Sequence, residues 1–132
     1  MNEVINIKVF AQVRQVSGDD VLTTEDYQAE LYNSEYYSRL VYKESKGAEV
    51  ILDFTDNELS IKRYDDWITQ AILARQGNGT LLITTEEGTL TFDAKINKYQ
   101  LKNHSIYVSY DLYQESKFVN HYTFECKWIL EG

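Results

Sequence analysis

Residues 5–14 read Ile5-Asn6-Ile7-Lys8-Val9-Phe10-Ala11-Gln12-Val13-Arg14. Ile5, Ile7, Val9, Ala11 and Val13 occupy every second position, and Asn6, Lys8, Gln12 and Arg14 fill most of the gaps. Side chains on a strand point alternately to opposite faces, whereas a helix face repeats every three to four residues. This stretch is therefore a β-strand with one apolar and one wet face.

The same period continues outward. Ser17-Gly18-Asp19-Asp20 makes a turn, and Val21 to Leu31 follows with Tyr27, Ala29 and Leu31 on one face. Tyr36 to Glu44 carries Leu40 and Tyr42 on one side, with Arg39 and Lys43 on the other. Val50, Leu52 and Phe54 make the next apolar row, and Leu59 and Ile61 resume it after Asp56-Asn57. Later rows are Leu81 and Ile83; Leu90, Phe92, Ala94 and Ile96; Ile106, Val108, Tyr110 and Leu112; and Tyr122, Phe124, Cys126, Trp128 and Leu130. Turns fall on Gly, Asn, Asp and Ser, since the chain has no proline.

These rows predict an all-β, antiparallel, up-and-down barrel of about 8–10 strands. Closure removes the two unpaired edges that an open meander would leave. A β-sandwich is the competing arrangement, but every connection reads as a local hairpin. One segment stays open to two readings. Asp66 to Gly77 has a helix N-cap residue and a terminal glycine, yet also reads as a strand with Ile68, Gln70, Ile72 and Ala74 on one face. The strand reading is preferred, because a lone short helix has little stability of its own.

The chain is 132 residues long, the size of one domain spanning 1–132. Its formal net charge of −8 disfavours nucleic acid, whose phosphates require clustered lysines and arginines. The densest basic group is Lys95, Lys98 and Lys102, near one turn. No apolar run approaches the length of a membrane-spanning helix. Met1-Asn2-Glu3-Val4 lacks the basic and apolar regions of a signal peptide, so a cytoplasmic location is expected. Cys126 is the sole cysteine, which leaves no internal disulfide.

Leu40-Val41-Tyr42-Lys43-Glu44, followed by Ile61-Lys62-Arg63 and then Gln70-Ala71-Ile72, resembles the YwiB-like family. So do the hairpin at Gly88-Thr89-Leu90 and the strand Ile106-Tyr107-Val108-Ser109-Tyr110. That family comprises small uncharacterised β-barrel proteins of low-GC Gram-positive bacteria. The resemblance runs from Ile5 to Trp128 and implies a lipocalin-like, calycin-type barrel with no established activity. Two departures stand out. Arg63 is followed by Tyr64-Asp65 where the family tends to show Arg-x-Gly, and the Gly-x-Trp of true lipocalins is absent.

Arg63 is the leading candidate for chemistry. Period two gives it the parity of Leu59 and Ile61, and a guanidinium inside a barrel demands a partner. It is either an anchor for a ligand carboxylate or phosphate, or a rim residue paired with Asp65 or Asp66. Gln70, Tyr42 and Tyr110 are the candidate polar groups beside it in an apolar lining. Each has a plainer reading as core, and inward Tyr27, Phe54, Phe92, Tyr122, Phe124 and Trp128 fill much of any lumen.

No metal or cofactor is expected. His104 and His121, with Cys126, are too few and too scattered for zinc, and neither histidine is placed as a haem ligand. Cys126 has inward parity and reads as a small core side chain. Asp19-Asp20, Asp65-Asp66 and Glu86-Glu87 fall in turns, where they do not converge on one substrate, so no catalytic residue is assigned. Two functions follow: a barrel binding a small apolar or amphipathic molecule, or a filled barrel binding a protein. The protein partner would use an open edge or outward aromatics such as Phe10, Tyr107 and Tyr113.

Overall fold

A computed structural model describes residues 5–131. The Met1–Val4 stretch read for a leader lies outside them. Ten strands form: β1 (Ile5–Ser17), β2 (Asp20–Asn33), β3 (Ser38–Lys43), β4 (Glu49–Phe54), β5 (Glu58–Tyr64), β6 (Ile68–Ala74), β7 (Asn78–Thr85), β8 (Gly88–Lys102), β9 (Ser105–Gln114) and β10 (Lys117–Leu130). Each pairs antiparallel with its sequence neighbours, and β1 pairs with β10 to close the barrel. Val9 faces Leu130 and Val13 faces Cys126 across that seam.

Closure follows from alternation. Val9, Ala11 and Val13 of β1 enter the bore beside Tyr27, Ala29 and Leu31 of β2. Leu40 and Tyr42 meet Leu52 and Val50, which meet Ile61 and Arg63 in turn. Apolar rows thus line up around the ring, and their removal from water is the main driving force. Three bulges, at Gln15/Val16, Ile96/Lys98 and Phe118/Asn120, shift register in the long strands. Such bulges add the bend a closing sheet requires. Lys95, Lys98 and Lys102, placed near a turn from sequence, all lie within β8.

Residues 68–74 form the strand expected there, but its faces are reversed. Leu59 sits opposite Leu73 and Ile61 opposite Ala71, so Thr69, Ala71 and Leu73 point inward. Gln70 therefore turns outward, between Lys62 and Leu82. On β7, Gly79 is obligatory: a Cβ there would lie 2.3 Å from the carbonyl oxygen of Ile72.

Candidate functional site

The bore has two unlike ends. The base carries the β2–β3, β4–β5, β6–β7 and β8–β9 turns. Leu59, Leu73 and Ile106 are fully buried near it. Two contacts cross it from wall to wall. Phe54 of β4 packs against Trp128 of β10 with ring centroids 5.4 Å apart. Tyr99 of β8 donates its hydroxyl to the carbonyl of Thr55, beyond β4, at 2.8 Å. A depression of about 460 Å³ lies at this end, lined in part by Phe54 and Trp128. Both rings are buried, so they stopper the bore.

The mouth carries the other hairpins. Here inward parity no longer means burial. Along β8 the inward row passes from Ala94, 5% exposed, to Leu90, 51% exposed. Arg63 and Thr69 are half-buried, while Leu59 and Leu73 further down the same strands are sealed. A cleft of about 830 Å³ opens between the β5–β6 and β7–β8 tips, lined by Asp66, Trp67, Glu86, Glu87 and Leu90 among others.

One wall of the mouth is polar. Arg63 donates from Nε at 2.9 Å and from Nη2 at 2.7 Å, both to Oε1 of Glu44. Asp65 lies 3.3 Å from the same guanidinium. These hydrogen bonds and charges, led by that with Glu44, raise the Arg63 pKa. Next to them Tyr27 and Tyr42 stack at 4.7 Å, and Tyr27 donates to Glu25 at 2.6 Å. Burial foremost, then the hydrogen bond to Glu25, pushes the Tyr27 phenol well above its usual range. Tyr42 rises likewise, first through burial and further through Cys126 and Glu44. It is 3% exposed, yet no described residue shares a hydrogen bond with its hydroxyl. On the opposite wall Tyr110 stacks on Tyr122 at 5.8 Å, and burial pushes the Tyr110 phenol up to about 12.

Of the four residues singled out from sequence, Arg63, Tyr42 and Tyr110 thus lie on inward rows of the barrel, and Gln70 does not. Arg63 combines both earlier readings: it has inward parity, and its fork is already engaged by carboxylates. Glu44 was missed as its partner, although it continues the Leu40–Tyr42 parity. Glu25 likewise continues the row of Tyr27, Ala29 and Leu31. Cys126 is buried, and burial pushes its thiol up to about 12. No group of three or more metal-binding side chains occurs among the described residues.

The outer face offers less. The ring is closed, but β2 pairs with β3 only from Ala29 to Asn33, so Asp20 to Gln28 has no β3 partner along that side. Tyr107 lies under the Lys98 ammonium at 5.6 Å, and Tyr113 meets Phe118 edge-on at 5.9 Å. Phe10 stands opposite Ile129 on the outside of the β1–β10 seam. No helix among the described residues is long and apolar enough to cross a membrane.

The architecture is a closed, ten-stranded antiparallel barrel with one stoppered end. Residues 7–125 match the family model described as Domain of unknown function (DUF1934), and the chain belongs to that family. The crystal structure of the ywiB protein from Bacillus subtilis has the same fold. It superposes with a TM-score of 0.64 over 92% of each chain, at 14% identity. No curated protein matches the chain.

Proposed function

We propose that this barrel binds a small amphipathic molecule through its mouth, without catalysing a reaction on it. The observation that carries the reading is the loss of burial along the inward rows of β5, β6 and β8 toward that end. Pockets that take small molecules combine an apolar lining with a few placed polar groups. Leu90, Phe92 and Ile83 supply the first, and Tyr42, Tyr110 and the Arg63–Glu44 pair the second. An anionic head is disfavoured, because Glu44 and Asp65 already occupy the guanidinium. The lone, buried Cys126 fits a reducing compartment such as the cytoplasm.

Native mass spectrometry of freshly purified protein, with titration of an environment-sensitive dye, tests the reading. A dye bound one-to-one should be displaced at least about tenfold in the Thr69→Trp variant, which fills the mouth. Phe10→Ser, on the outer face, should leave binding unchanged. Equal binding by both variants would sink the proposal.

A further inference from the structure

The polar wall of the mouth is built as an acceptor. Both bonds from Arg63 fall on Oε1 of Glu44, and Oε2 has no hydrogen-bond partner among the described residues. The Tyr42 hydroxyl is similarly unshared, on a side chain 97% buried within the bore by its 3% exposure. Glu44 stands two residues beyond Tyr42 on the same inward row, and the Arg63 that holds it faces Val50, the residue opposite Tyr42. Two carboxylates, of Glu44 and Asp65, flank the single guanidinium, and a third, of Glu25, accepts from Tyr27, so the wall carries excess negative charge. The hairpin tips add Asp19, Asp20, Asp66, Glu86 and Glu87 against Lys46.

We propose that the mouth selects a primary amine: an ammonium head seated on Glu44 Oε2 and the Tyr42 hydroxyl, with an apolar body lying toward Leu90 and Phe92. An ammonium has three donors and no acceptor, and so satisfies both unshared oxygens at once. A carboxylate would place charge against charge and leave the Glu44 oxygen unpaired. The exposed Leu90 and the half-buried Phe92 and Ile83 on the facing wall give the body an apolar surface to cover. This inference rests on the binding role proposed above and adds the class of ligand.

The test compares three probes that differ only in the head: 3-phenylpropylamine, 3-phenylpropanol and 3-phenylpropionate. Each is titrated against the full chain at neutral pH and low salt by ligand-observed NMR. The amine should bind about tenfold tighter than the propionate, with the alcohol between them. Glu44→Gln should lower amine affinity about fivefold and raise that of the propionate, since Arg63 is then less neutralised. That opposite movement separates recognition from simple loss of folding. Tyr42→Phe, which keeps the ring stack, should weaken the amine about threefold and leave the propionate unchanged. Propionate binding as tight as the amine overturns the ligand class but leaves a binding mouth. Failure of all three probes, together with no dye bound at the mouth, overturns both.

Discussion

The two ends of this barrel are made from the same strands and the same alternation, yet they finish differently. At the base the inward rows end in Leu59, Leu73, Phe54 and Trp128, and Tyr99 ties β8 to the far wall. At the mouth the corresponding rows end in Arg63, Thr69, Leu90 and Tyr122, which stay in reach of solvent. The only non-glycine residues with left-handed backbone among those described, Glu115 and Ser116, are also at the mouth, in the β9–β10 turn. Such residues cost energy unless their surroundings hold them. The contrast shows how one closed sheet divides labour: one end supplies stability, and the other stays available.

The largest expected effect comes from alkali, which tests both ends together. Tyr27, Tyr42, Tyr99 and Tyr110 have folded-state pKa values raised chiefly by burial. A group whose pKa is raised on folding stabilises the fold below its unfolded value and loses that contribution as pH rises. For tyrosine the unfolded value is about 10. The protein should therefore unfold cooperatively between about pH 10 and the value near 12 of Tyr110 and Cys126, with phenolate absorbance and loss of strand circular dichroism rising together. Ionisation of Tyr110 with the sheet intact would show that water reaches its hydroxyl in the folded barrel.

A matched pair of truncations comes next. Leu59→Ala at the base removes a fully buried side chain and should cost about 3 kcal/mol in urea unfolding. Leu90→Ala at the mouth makes the same chemical change at a half-exposed position and should cost under about 0.5 kcal/mol. Similar losses at both positions would erase the distinction between the ends. Tyr99→Phe and Tyr42→Phe form a finer pair. The first strips a hydrogen bond from the Thr55 carbonyl and should cost about 1 kcal/mol. The second removes a hydroxyl that no described residue bonds, and unfolding should hardly move.

Much of the architecture was legible in the residues. Period-two rows gave the strands, the hairpins and the closed topology, and they correctly aimed Tyr42, Arg63 and Tyr110 inward. Gln70 failed because β6 is apolar on both faces: Ile68 and Ile72 on one, Ala71 and Leu73 on the other. Pairing of Leu59 with Leu73 settles the choice, and that is a fact about the neighbouring strand. Glu44 was readable by parity as an inward acid, but its union with Arg63 depends on β3, β4 and β5 lying side by side. Which end is stoppered could not be read at all. Tyr99 enters the bore only because the Ile96/Lys98 bulge shifts the parity of β8.

One further small change is the most discriminating. Glu44→Gln removes the carboxylate that accepts two bonds from Arg63. Were this a sealed ion pair, losing one partner would strand a buried charge and cost about 3–5 kcal/mol. The Arg63 side chain, however, is 39% exposed, and Asp65 remains beside it. Water and the second carboxylate screen the loss, so the unfolding free energy from urea titration should fall by less than about 1 kcal/mol. A loss near the higher figure would mean that the guanidinium plugs the mouth as Tyr99 plugs the base. The barrel would then be closed at both ends, with no lumen for a ligand to enter.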